Sequence, residues 1–389
     1  MTDSLASHYS RFRVGERLLL TGHSHQAWPD VGFDAQQQAW LDAAELVGDK
    51  WERSAEQAAV VRAGFARLLG DAPERIALGQ NTHELVARWL SALPLRARPR
   101  IVTTDAEFHS LRRQLARLAE EGVDVVRVPA QPVDSLSERA AAALDDRTAC
   151  AMVSSVLFST SEIVPGLGVL AAACDRRGAR LLVDAYHHLN VVPFDLVSMA
   201  LDSAFITGGG YKYCQLGEGN CFLRVPPGVN LRPVLTGWFA APEPLTERDG
   251  ARVSYADGAG AFAGATYDPT SHYRAAAVFG FHVEQGLLPD RLRQVNRRQV
   301  RFLKDAFEGL DAAPARAAVV PMPDDRRGGF LAIRAPRAAN LVAELRRRGV
   351  QADARGNVLR MGPALYLRDD QLTAAVGALG EALAATTGC

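Results

Sequence analysis

Five short runs of apolar β-formers recur between about residues 55 and 285: RIVTTD, DVVRVP, TACAMVSSV, ARLLVDA and SAFITG. Between them lie longer stretches whose apolar residues return every three or four positions, as in helices that cover a sheet. Strand and helix in alternation predict an α/β fold with a mostly parallel sheet and helices on both faces, because parallel pairing needs a crossover. NCFLRVP follows SAFITG after a connection too short for a helical crossover, so an antiparallel strand is expected there. After VNRRQVRFLKDAFEGL the pattern becomes strand, helix, strand, helix in GGFLAIRAP, LVAELRRRGV, NVLRMGP and QLTAAVGALGEAL. Three parts are therefore expected: an N-terminal arm and helix over 1–54, a large domain over 55–289, and a smaller α+β domain over 290–389.

Composition removes several function classes. Lys plus Arg and Asp plus Glu are each 44 in 389 residues, and no basic run alternates with aromatics, so nucleic acid is not an expected partner. The N-terminus begins polar and no apolar run approaches membrane-spanning length, which gives a cytoplasmic address as the expectation and no membrane partner. The five cysteines, at 150, 174, 214, 221 and 389, show no paired spacing, so neither a disulfide framework nor a zinc site is expected.

Ligands of open α/β sheets bind beyond the carboxyl ends of the strands, so the residues that follow each apolar run are the informative ones. Gly79, Gln80, Asn81 and Thr82 precede an amphipathic helix, where free backbone N–H groups and a hydroxyl suit a phosphate, or serve as an ordinary cap. Phe108 and His109 follow the RIVTTD run, and Phe108 could stack on a ring or belong to the core. Asp184 ends the ARLLVDA run and is followed by His187 and His188; a carboxylate there pairs with a cation or N–H, or caps the next helix. FITGGGYKYCQLGEGN then places Lys212 between two tyrosines, behind three glycines that let the backbone pass close to something bulky. Taken together these make a phosphate cradle, a stacking ring, a partner for a protonated ring nitrogen, and an amine. Pyridoxal 5'-phosphate needs those four groups, with the lysine as its covalent anchor.

With those residues in place the chain resembles the class V branch of the fold-type I pyridoxal-phosphate enzymes, and within it kynureninase. The resemblance spans roughly residues 55 to 370, and its most specific piece is Tyr211-Lys212-Tyr213. It implies that Asp184 pairs with the pyridine nitrogen, that His187 lies near the phenolic oxygen or the substrate carboxylate, and that Tyr211 contacts the phosphate. GWF at 237–239 resembles the family's Gly-Trp-Trp, and FAGAT at 262–266 resembles the segment that reaches the phosphate of a neighbouring subunit, which implies a homodimer with shared sites and makes Trp238 and Thr266 candidate cofactor contacts. GVQADARGNVLRMGPALY implies that Arg360 binds the α-carboxylate of an amino acid substrate, in the bidentate geometry that a guanidinium provides. The implied activity is hydrolytic cleavage at a β carbon releasing alanine. C–S β-elimination, desulfurase-like chemistry, transamination and racemisation remain open as alternatives. The chain departs from the family pattern at His23-Ser24-His25-Gln26, at Leu111 where an acidic residue is usual, and at VLFSTS over 156–161. His23 and His25 are thereby expected to touch the distal end of the substrate.

Overall fold

The computed structural model describes residues 5–242, 252–310 and 316–385; Cys389 lies outside them. A two-residue strand β1 (Leu18–Leu19) precedes two long helices, Val31–Leu46 and Lys50–Leu69. The large sheet then uses β2 (Ile76–Gly79), β3 (Arg100–Thr104), β4 (Asp124–Val128), β5 (Thr148–Ser154), β6 (Arg180–Asp184), β7 (Phe205–Gly209) and β8 (Cys221–Arg224). Their spatial order is β2-β8-β7-β6-β5-β3-β4. Pairing is parallel from β7 through β4, while β8 runs antiparallel to both of its neighbours, as the short connection before it predicts. All seven residues of β5 are buried, which is why TACAMVS reads as a continuous run and not as alternation.

The second sheet contains β9 (Ala318–Val319) and β10 (Leu331–Arg334). After β11 (Val350–Gln351) it continues with β12 (Asp353–Arg355) and β13 (Val358–Met361), in the antiparallel order β12-β13-β10-β9. β11 pairs instead with β1, in parallel. The sequence pattern shows no strand at Leu18–Leu19; two residues are too few for periodicity to register. Tyr9, Leu20 and Ala27 join Leu331, Leu359 and Tyr366 in one apolar core, so the N-terminal arm packs as part of the C-terminal layer. Among the described residues no helix is long and apolar enough to cross a membrane.

The glycines before Lys212 clear the protein's own side chains. A Cβ at Gly209 would lie 2.4 Å from Tyr186 Oη, and one at Gly210 would lie 2.6 Å from a Leu216 methyl. The bulky neighbour expected from the sequence is thus internal packing.

At the far end of the sheet Arg224 is 1% exposed, with its Nε donating to Asp71 Oδ2 at 2.5 Å and its Nη1 to the carbonyls of Asp202 and Ala204. Removing one partner of such a pair strands a buried charge. Asp71→Ala should therefore lower unfolding free energy by about 3–5 kcal/mol in a urea titration. A loss below about 1 kcal/mol would show that the carbonyls alone satisfy the guanidinium.

Candidate active site

β5 and β6 end level with Thr207 of β7, since Ser154 pairs with Asp184 and Asp184 with Thr207, and β7 runs on to Gly209. Their carboxyl ends, the start of the helix Thr82–Ser91 and the loop after β7 enclose a cavity of about 540 Å³. Asn81, Thr82, Phe108, Asp184, His187, Tyr211 and Lys212 all line it. Seven residues drawn from widely separated positions in the sequence therefore meet at one place.

Lys212 is 5% exposed, and its Nζ is hydrogen-bonded to His187 Nε2 at 2.7 Å. The amine also lies 4.4 Å from the centre of the Tyr186 ring and 5.4 Å from that of Phe108. Burial drives its pKa down to about 7; Asp184 pulls the other way, and Arg360 adds to the decrease. Burial likewise holds His187 well below the ordinary imidazole range, reinforced by the charges of Lys212 and Arg360. When the lysine is the donor, a neutral His187 carries its proton on Nδ1, and Nδ1 is buried without a partner among the described residues.

Asp184 Oδ1 accepts the Tyr186 N–H at 2.8 Å, while Oδ2 has no donor among the described residues. Burial raises the Asp184 pKa, and the Tyr186 N–H and Lys212 moderate the rise. At the other end of the cavity Asn81 caps its helix by accepting from Glu84 N at 2.9 Å. The capping role does not exclude the cradle role, since one cap satisfies only one of the N–H groups that a helix start leaves without intrahelical partners. The residues present fit pyridoxal phosphate: an open carboxylate oxygen for a ring nitrogen, a helix N-terminus for a dianion, an aromatic wall, a buried amine, and an imidazole N–H lacking an acceptor.

The other expected site residues, His23, His25, Arg360, Trp238 and Thr266, do not line this cavity and fall in three places. His25 stacks on Tyr211 with ring centroids 5.4 Å apart. His23 lies deeper: it is fully buried, and its Nε2 bonds Asp353 Oδ1 at 2.9 Å. Direct substrate contact by His23 is thereby corrected to a contact with Asp353. Arg360 is held by the same carboxylate, with Nε to Oδ1 at 2.7 Å and Nη2 to Oδ2 at 2.6 Å, and its Nη1 donates to Phe158 O. Two guanidinium hydrogens, one on each Nη, remain for another acceptor. Trp238 and Thr266 lie outside the cavity wall, bonded to each other at 3.1 Å, with Trp238 53% exposed.

Two residues escaped sequence reading. Asp353 organises both His23 and Arg360, and its pKa is held well below the carboxylate range by their hydrogen bonds despite the upward push of burial. Glu107 is buried beside the β3 end and accepts from Thr104 Oγ1, Ser154 N and Ser154 Oγ. Burial raises its pKa to about 7. The available signal for Glu107 was an acid placed between a buried strand end and an aromatic.

Comparison with known proteins agrees with this arrangement. The family model described as Aminotransferase class-V matches residues 46–244, and that of the Kynureninase C-terminal domain matches residues 292–379. The isopenicillin N epimerase of Streptomyces clavuligerus is 28% identical over 355 residues, covering 84% of each chain. A kynureninase of Bacillus mycoides is 26% identical over 357 residues, covering 87% of this chain and 78% of its own. Among solved structures, a C-DES mutant with glycine covalently linked to its PLP cofactor superposes with a TM-score of 0.84 at 16% identity, covering 97% of this chain and 99% of that one. The cysteine desulfurase CsdA of Escherichia coli gives 0.80 at 17%, covering 99% of each. At those identities the structural likeness is one of fold, and it matches the α/β architecture expected from the sequence.

Only a neutral amine attacks an aldehyde. With Lys212 titrating near 7, the rate at which cofactor-free protein takes up pyridoxal phosphate should climb with pH through about 7 and then level off. Asp184→Ala removes an anion that favours the ammonium and should move this profile to lower pH. Stopped-flow absorbance measures both; a wild-type rate still climbing steeply above pH 9 would contradict the depressed pKa.

Proposed function

Because this chain belongs to the class-V aminotransferase family and is a pyridoxal-phosphate-dependent enzyme, we propose that it cleaves an amino acid at the β carbon, with hydrolysis of a kynurenine-like substrate to alanine as the nearest model. The observation that carries this reading is the kynureninase C-terminal match over 292–379, which contains both Asp353 and Arg360. The aromatic side chains of Phe108, Phe158, Tyr186 and Tyr211 around the cavity suit an aryl substituent.

When bound, pyridoxal phosphate supplies an electron sink for the pair released at Cα. The helix start at Asn81 and Thr82, with Tyr211, would hold its phosphate; Phe108 would stack on its ring, and Asp184 would keep the ring nitrogen protonated. Lys212 would anchor it and, once displaced by the substrate amine, carry the α-proton on Nζ. His187 keeps that Nζ in place through its 2.7 Å bond. Arg360 would receive the α-carboxylate on its two free hydrogens, its other edge being fixed by Asp353. His25, on Tyr211, is the candidate for the distal end of the substrate. The enzyme would act in the cytoplasm as a homodimer, with Trp238 and Thr266 of each protomer completing the phosphate site of the other.

A second reading, inversion at Cα, is favoured by the 28% likeness to an epimerase and needs proton exchange alone. Persulfide chemistry is less well supported: no cysteine occurs between 222 and 388, and burial pushes the Cys214 and Cys221 thiols up to about 12.

Incubation with kynurenine and 3-hydroxykynurenine should release alanine. Racemisation of an amino acid without alanine would favour the second reading, and a keto acid formed only with an amino-group acceptor would defeat both. Lys212→Ala should lower turnover by about a thousandfold or more. Arg360→Lys should raise KM about tenfold or more with a smaller change in kcat, since an ammonium cannot span a carboxylate. Sedimentation of the holoenzyme should show a dimer; an active monomer would remove the shared-site assignment of Trp238 and Thr266.

A further inference from the structure

Arg327 is 3% exposed, yet two of its three guanidinium nitrogens, Nε and Nη1, are buried without an acceptor among the described residues. Its remaining nitrogen, Nη2, makes one long bond of 3.5 Å to Val320 O. Asp324, Glu308 and Glu162 act on its charge, but none forms an ion pair with it. A buried cation in that condition carries a large desolvation penalty and calls for a counter-charge.

Its surroundings add positive charge. Arg327 lines a shallow surface cleft, open to solvent, with an inner cavity of only about 10 Å³, together with Arg297, Arg301, Lys304, Asp324 and Gly328. Arg297, Arg301 and Lys304 are spaced by four and three residues on the helix Pro289–Glu308, which places them on one face. Asp324 is the single acid of the cleft and already serves Lys304 at 3.5 Å and Arg301 at 3.8 Å. Arg297 makes no ion pair among the described residues. Four cations line the cleft against one acid, and with Glu308 and Glu162 acting on Arg327 from outside the lining, positive charge still exceeds negative, an excess that an anion would offset.

We infer that this cleft is a binding site for a tetrahedral oxyanion, a phosphate group above all, with Arg327 as its buried anchor and Arg297 and Arg301 closing over it. Convergence from a loop and from a helix face suits a three-dimensional anion better than a planar carboxylate, which a single guanidinium satisfies. The site is separate from the catalytic cavity, with which it shares no lining residue. The chain nevertheless runs directly from one to the other: Gly329 packs on Tyr213, and the Phe330 ring lies against those of His23 and His187.

The test uses cofactor-loaded enzyme, so that the cofactor's own phosphate site is filled, and inorganic phosphate as the probe at ionic strength held constant with chloride. Wild type should show saturable binding by calorimetry and a rise in Tm that chloride does not reproduce. Arg297→Gln with Arg301→Gln, both on the protein surface, should weaken binding at least tenfold while leaving the Tm without phosphate within a few degrees. Arg327→Met should abolish binding, and should raise the phosphate-free Tm if the uncompensated charge destabilises the fold. Glycerol 3-phosphate distinguishes the sources of the anion: binding tighter than inorganic phosphate assigns a phosphate ester, and equal or weaker binding assigns the free ion. A response to phosphate no larger than to chloride, or one unchanged in the Arg297→Gln/Arg301→Gln variant, would overturn the site.

Discussion

The buried amine of Lys212 is the constraint around which the end of the seven-stranded sheet is arranged. A lysine at 5% exposure loses its hydration, and its nearest partner, His187, is itself kept neutral by burial. Asp184 moderates the loss without forming an ion pair, so the amine is left near neutrality instead of several units above it. That balance depends on backbone register. Because Ser154, Asp184 and Thr207 stand level across three parallel strands, the carboxylate and the lysine loop share one end of the sheet. Tyr186 then fills the space that the absent Cβ of Gly209 leaves open.

A second carboxylate does for the four-stranded sheet what Asp184 does for the seven-stranded one. Asp353 accepts from His23 and from two nitrogens of Arg360, while Arg360 reaches across to the carbonyl of Phe158. One charge-assisted cluster thereby ties the N-terminal arm, the C-terminal sheet and the large domain together. The parallel β1–β11 pair and the Thr21–Gly362 bridge bring His23 to that position. Arg360 consequently approaches the cavity already oriented, which reduces the rotamer entropy lost when a carboxylate binds.

Two acids near the strand ends behave differently because their donors differ in charge. Asp353 faces cations and stays ionised. Glu107 accepts only from hydroxyls and one backbone N–H, and burial carries its pKa to about 7. Hydrogen bonds from neutral donors only partly offset desolvation, whereas a guanidinium more than offsets it.

The sequence alone determined the alternation of strands and helices, the antiparallel turn into β8, and the strand-end positions of Asp184 and Lys212. Each of these is a local signal: periodicity, connection length, or the residue at which an apolar run stops. The helix start at Asn81–Thr82 was legible for the same reason, as was Phe108 just beyond β3. Only the tertiary structure decided that His23 serves Asp353, that the glycines before Lys212 clear Tyr186 and Leu216, that Leu18–Leu19 forms a strand, and that Arg327 is buried without a counter-charge. His23 and Asp353 are 330 residues apart, so no local pattern couples them. A polar side chain's role follows from which distant group the folded chain returns beside it, and periodicity within a segment carries no record of that return.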